Sequence, residues 1–119
     1  FIEALDWVLV KGSRPAVFSA SLGGAGNYPS VSTAIDQAVA GGVTVVVAAG
    51  NENDNACNYA PAFTPSAITV ASTEQGDKRS WFSNYGTCID IFAPGSSIVS
   101  AGVTGDTAAD TMSGTSMAC

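Results

Sequence analysis

Ser116 is the residue whose setting invites chemistry. It stands in MSGTSMAC, residues 112–119, with Gly114 and Thr115 before it and Met117 and Ala118 after it. Gly114 permits a tight backbone turn. Thr115, Ser116 and Met117 can open a helix whose unpaired N–H groups favour developing negative charge. A serine hydroxyl is a poor nucleophile until a base takes its proton, and the usual base is histidine. The chain contains no histidine. Ser116 is therefore either a helix cap or a nucleophile whose base is contributed from elsewhere. Asn51, at the end of Ala48-Ala49-Gly50-Asn51, poses a similar choice between a left-handed loop residue and an amide donor aimed at an anion.

The elements that must carry these residues can be read from periodicity. Ile2, Leu5, Val8 and Leu9 recur at helical spacing, and Gly12 makes a helix stop. Ala16 to Leu22 reads as a strand, and GGAGNYP as a turn. Val31, Ala34, Ile35, Ala38 and Val39 form a helical stripe, with Ser30 as the expected N-cap and Gly41-Gly42 as its stop. Val43 to Ala49 is a near-continuous β-branched run, the mark of a strand covered on both faces in a parallel sheet. Strand, helix, strand makes a βαβ unit, so the fold class is α/β. Residues 50–66 read as a long surface loop. The short apolar runs Ile68–Ala71, Ile89–Ala93 and Ile98–Ser100 read as short strands.

Composition narrows the partners. The 119 residues carry four basic and ten acidic side chains, a net charge of −6. Lys11, Arg14, Lys78 and Arg79 make no basic stripe, which argues against nucleic acid. The longest apolar run, Val43–Ala49, is far short of the ~20 residues of a membrane-spanning helix. The chain opens in mid-pattern without a capping residue and ends three residues past Ser116, so both ends are expected to be cut.

Five blocks, SASLGG, VVVAAGNENDNACNYAPA, ITVAST, FSNYGTCIDIFAPG and SGTSMA, resemble in content, order and spacing the subtilisin-like serine proteases (subtilases, peptidase S8), and within them the proteinase K-like group. The resemblance covers essentially the whole chain. It implies that residues 1–119 are part of a catalytic domain with a three-layer fold and a mainly parallel sheet, lacking the segment that bears the catalytic Asp and His. It implies that Ser116 is the acyl-forming nucleophile of an endopeptidase and Asn51 the side-chain oxyanion donor. Ser21, Leu22 and Gly23 would pair with an extended peptide and form one wall of the pocket for the residue before the cut. Ala48, Ala49 and Gly50 would form the other wall, leaving a roomy apolar slot for large aliphatic or aromatic side chains. Without its base the 119-residue piece is expected to be inactive.

The resemblance also implies a structural calcium ion held by the carbonyls of Pro65 and Ala67 and the carboxylate of Asp90. Asp90 lies between Ile89 and Ile91, where an unpaired carboxylate is costly; a salt bridge or backbone hydrogen bonds would satisfy it as well. Glu52, Asp54, Asp106 and Asp110 read as solvated charges. Bacterial members of the group pair cysteines at the positions of Cys57 and Cys88, which implies that bridge here, hence an oxidising compartment and secretion. Cys119 is left over. A monomer acting on extended protein or peptide substrates is implied for the full-length form. The alternatives are a non-catalytic subtilase-like binding or structural module and a Rossmann-type nucleotide binder. For the nucleotide binder, GGAG lacks the required spacing.

Overall fold

The computed structural model describes all of residues 1–119. Helix α1 (Ile2–Lys11) leads to strand β1 (Ala16–Ala20), and a two-residue strand β2 (Gly24–Ala25) precedes helix α2 (Pro29–Ala40) and strand β3 (Val43–Ala48). The register pairs Ala16 with Val43 and Ala20 with Val47, so β1 and β3 run parallel and end together. Their shared carboxyl edge sets the place of the functional site.

Both helices lie on one face of this sheet. Leu5, Ile35, Ala38, Val43, Val45 and Val47 are almost completely buried there, with Phe1, Val8, Leu9, Phe18 and Val31 packed around them. Burial along β3 alternates: Val43, Val45 and Val47 face the helices, Thr44 is exposed and Val46 is half-buried. The expected cover on both faces of β3 is therefore present on one. Val17 of β1 lies 69% exposed beside Thr44. Arg14 ties the two helix ends together. Its guanidinium donates to the carbonyls of Val8, Leu9 and Gly12 and of Gly41, satisfying acceptors that a helix end leaves open. Ser30 is not the N-cap of α2; Tyr28 occupies that position and Pro29 takes the first helical turn, where its missing N–H costs nothing.

The second half is built from shorter pieces. A single 3₁₀ turn (Ala56–Asn58) and strand β4 (Tyr59–Ala60) follow β3, and β4 pairs antiparallel with β2. Residues 50–66 are thus no plain surface loop: Ala56, Ala60, Ala62 and Thr64 are buried within them. Strand β5 (Ile68–Glu74) joins β3 in parallel, and β6 (Lys78–Arg79) folds back on its end. Strand β7 (Ile91–Pro94) adds in parallel to β5, and β8 (Ile98–Ala101) forms a separate hairpin with β9 (Ala109–Met112). Asp90 lies just outside β7 rather than within a strand. Helix α3 (Thr115–Ala118) ends the described chain. A disulfide joins Cys57 to Cys88 across 31 positions, a loop whose closure stabilises by about 3.5–4 kcal/mol in the chain-entropy model. No helix is long and apolar enough to cross a membrane.

The helix-side core predicts a sharp contrast between two substitutions. Ile35→Ala, at a fully buried position, should lower unfolding free energy by about 2–5 kcal/mol. Val17→Ala, on the open face, should stay within about 0.5 kcal/mol. Denaturant midpoints at constant m-value measure both.

Candidate active site

The parallel register delivers Ser21 and Ala48–Asn51 to one edge, because β1 and β3 finish side by side. Helix α3 docks there through its first residues. Thr115 is fully buried; its N–H donates to Asn51 Oδ1 at 2.8 Å and its hydroxyl to the same oxygen at 3.0 Å. The Gly50 N–H in turn donates to Thr115 Oγ1 at 3.2 Å. The oxygen of the Asn51 amide is thereby consumed, which fixes the Nδ2 group on the opposite side. Neither Asn51 Nδ2 nor the Ser116 N–H donates within the protein. A Cβ built on Gly114 would stand 3.9 Å from Asn51 Nδ2. The chain bends at Gly114, whose carbonyl accepts the Met117 N–H at 3.1 Å, so the expected turn is present. Its φ of 164° is extended backbone that any residue adopts, and its lack of a side chain leaves space beside the amide.

Ser116 and Ser21 are cross-bonded. Ser21 Oγ donates to the Ser116 carbonyl at 3.0 Å, and Ser116 Oγ reaches the Ser21 carbonyl at 3.4 Å. A hydroxyl resting on a carbonyl has no base to take its proton. Ser21, Leu22, Gly23, Ala48, Ala49, Gly50, Asn51 and Ser116 all line one pocket of about 230 Å³. A second, more apolar hollow of about 260 Å³ lies against Leu22–Gly24, formed with Phe1, Tyr28, Val31 and Pro61.

Residues not expected at the site also shape it. Glu52 and Tyr59 line the first pocket, so the slot is not wholly apolar. Nor are Glu52 and Asp54 simple solvated charges. Glu52 Oε2 accepts from Asn84 Nδ2 at 2.7 Å, and Asp54 accepts from the Asn55 N–H and the Tyr59 phenol. Asn84 is fully buried and bonds the backbone around Asn51. Its one sequence signal is its place in the FSNYG block. Partial burial raises the Tyr59 phenol above its ordinary 10.0, and the Asp54 and Glu52 carboxylates push the same way.

The metal-ligating set comes together in part. Pro65 and Asp90 line a hollow of about 150 Å³ with Ala62, Phe63, Thr64, Thr87 and Cys88, whereas Ala67 is buried in the helix-side core. Asp90 is exposed, which removes the burial penalty expected for it. Its carboxylate accepts from the Thr69 N–H at 2.7 Å, and its own N–H donates to the Thr69 carbonyl. No group of three His, Cys, Asp or Glu residues stands close enough to hold a metal. One carboxylate with main-chain carbonyls is a donor set that suits a hard cation such as calcium rather than zinc. Cys119 is unpaired and half-buried, its sulfur 3.8 Å from Ser19 Oγ.

The subtilase family model, peptidase S8, matches residues 1–119, and the chain belongs to that family. An extracellular serine proteinase from a Thermus species is 55% identical over 98% of this chain, and alkaline serine exoprotease A of Vibrio alginolyticus is 49% identical over 98%. The chain spans 28% and 21% of the lengths of those two proteins. A cold-adapted subtilisin-like serine proteinase superposes with a TM-score of 0.91 at 49% identity, over 98% of this chain and 42% of that one. A protease from Pseudoalteromonas arctica gives 0.88 at 32% identity, covering 41% of its chain.

The environment of Tyr59 gives a pH prediction. Above pH 10.0 the unfolded chain releases a phenolic proton that folded Tyr59 still holds, so stability falls with rising pH until the raised value is passed. Tyr59→Phe should remove that part of the loss. The difference in phenolate absorbance between parent and variant, which isolates Tyr59, should rise only above pH 10.0.

Proposed function

We propose that these residues supply the nucleophile, oxyanion and substrate-binding parts of a secreted serine endopeptidase. The observation that carries the reading is the fixed Asn51 amide: its oxygen is consumed by Thr115, its Nδ2 donates to no group of the protein, and Asn51 lines the pocket that Ser116 also lines. A donor held in advance stabilises charge as it forms and needs no reorganisation at the moment of reaction.

In the proposed reaction Ser116 Oγ attacks the peptide carbonyl carbon, and its proton passes to a base outside these 119 residues. The carbonyl oxygen becomes an oxyanion that receives hydrogen bonds from Asn51 Nδ2 and the Ser116 N–H. Collapse breaks the C–N bond, the base returns the proton to the leaving amine, and an acyl-enzyme remains on Ser116. Water then repeats the sequence and releases the acid. Apart from the Ser21 carbonyl, which the Ser116 hydroxyl reaches, the backbone of Ser21–Gly23 makes no hydrogen bond within the protein and suits strand addition by an extended peptide. Small walls at Ser21–Gly23 and Ala48–Gly50 favour a large aliphatic or aromatic residue before the cut, and the hollow against Phe1 and Val31 would take a second apolar side chain. The names of the Thermus and Vibrio relatives, extracellular proteinase and exoprotease, support an extracellular setting, as does the Cys57–Cys88 bridge.

In the full-length protein, a fluorophosphonate probe should label Ser116 stoichiometrically, and Ser116→Ala should abolish both labelling and peptide cleavage. The 119-residue chain alone should label slowly or not at all; rapid stoichiometric labelling there would show that no outside base is needed. Asn51→Ala should lower kcat by about 10²–10³-fold with little change in KM, a magnitude established for such a donor within this same family.

We also infer a structural calcium ion with Pro65 and Ala67 as carbonyl donors and Asp90 as carboxylate. Chelation should lower the melting temperature of the full-length protein, and Asp90→Asn should lower it in calcium while shrinking the effect of chelator. Equal chelator sensitivity in parent and variant would locate the ion elsewhere.

A further inference from the structure

We propose that Asn84 is a positioning residue for the Asn51 amide, an inference that rests on reading Asn51 as the oxyanion donor. Asn84 is fully buried, and its side chain uses every hydrogen-bonding valence it has. Nδ2 donates to the Ala49 carbonyl at 2.9 Å and to Glu52 Oε2 at 2.7 Å. Oδ1 accepts from the Glu52 and Asp54 N–H groups, each at 3.0 Å. The Asn84 N–H donates to the Gly50 carbonyl at 3.0 Å. Residues 49, 50, 52 and 54 are thus held by one side chain and its own backbone, and Asn53 is held by the neighbouring Phe82 carbonyl. Asn51 is the residue of this loop whose side chain is left to reach Thr115.

The same contact dictates the residue before Asn51. Gly50 has φ +101°, and a Cβ there would collide with Asn84 Nδ2 and Glu52 Oε2. The amide that clamps the loop therefore also requires a glycine in it, and the two features support each other. Neither the isosteric carboxylate nor a shorter hydroxyl reproduces the set. Aspartate offers two acceptors where the Ala49 carbonyl and the Glu52 carboxylate need donors, and serine is too short to span the loop.

The test uses the full-length protein with Asn84→Ser and Asn84→Asp, each normalised by active-site titration. Both should lower kcat about 10–100-fold and change KM by less than about 3-fold, since a donor displaced by a fraction of an ångström weakens the transition state more than the substrate complex. Combined with Asn51→Ala, neither should cause further loss, because Asn84 acts through the amide already removed. An undiminished loss in the Asn51→Ala background, or an unchanged kcat in a folded variant, overturns the proposal. Should neither variant fold, hydrogen exchange on the parent decides: slow exchange at the Glu52 and Asp54 N–H groups supports the clamp, and exchange at free-chain rates overturns it. A parent protein that neither cleaves peptides nor labels at Ser116 overturns the protease reading beneath this inference, a result distinct from an active enzyme indifferent to Asn84.

Discussion

One oxygen atom holds the two halves of the site together. Asn51 Oδ1 takes both the N–H and the hydroxyl of Thr115, and so joins the loop after β3 to the helix that carries Ser116, 64 positions later in the chain. The loop after β3 is rich in turn-forming residues, and the described part of α3 is a single turn, Thr115–Ala118. Bonded to each other, and with Gly50 N–H returning to Thr115 Oγ1, they form a closed ring of polar contacts around a buried hydroxyl. The parallel sheet makes this ring possible, since β1 and β3 must end at the same edge for Ser21, Asn51 and Ser116 to meet.

Behind that ring the second half is held by satisfied polarity more than by apolar packing. Ser72, Ser80, Ser83, Thr69 and Asn84 are fully buried. Ser72, Ser80 and Ser96 form a chain of hydroxyls with 2.7 Å links, and Ser83 Oγ accepts from the Ser72 N–H. No buried side-chain oxygen or nitrogen lacks a partner. In a low-dielectric interior such a network is costly if one member is unpaired and rigid if none is. Gly95 shows how closely it is fitted: a Cβ there would meet the Ser72 hydroxyl and the Gly114 carbonyl, and Gly95 O accepts the Gly114 N–H at 2.8 Å. The hydroxyl chain thus reaches the residue two places before Ser116.

This division explains what could be read in advance. The first half follows the two hydrophobic periods, so α1, β1, α2 and β3 are legible within a residue or two. Ser30 misled because serine before an apolar stripe is a cap by type, while Pro29 had already claimed the first turn. The second half hides its order. Strands β2 and β4 are Gly-Ala and Tyr-Ala, too short to carry a pattern, and they exist because Gly24 meets Ala60 and Ala25 meets Tyr59. Strand β9 carries Asp110 and Thr111 and is exposed throughout, so no apolar alternation marks it. That Ser21–Gly23, Ala48–Asn51 and Ser116 meet in one pocket was legible from the blocks as a set, and not from any residue singly. Asn84 was not, since an asparagine before Tyr-Gly is a turn residue by type and only its four occupied valences reveal the clamp.

In the proposed reaction the site is also unequal in its two tasks. Charge stabilisation needs fixed donors, and those depend on backbone bonds made by this chain alone: Asn84 to residues 49–54, Asn51 to Thr115, Gly114 to Gly95. Nucleophile activation needs a base, and the Ser116 hydroxyl here faces only the Ser21 carbonyl. On the proposed reading, the Asn51 amide that serves the first task is held by contacts within this chain. The second requires a base, and the usual one, histidine, does not occur in this sequence. On that reading the oxyanion donor is placed independently of the base, and the charge formed as the proton moves meets a donor already held for it.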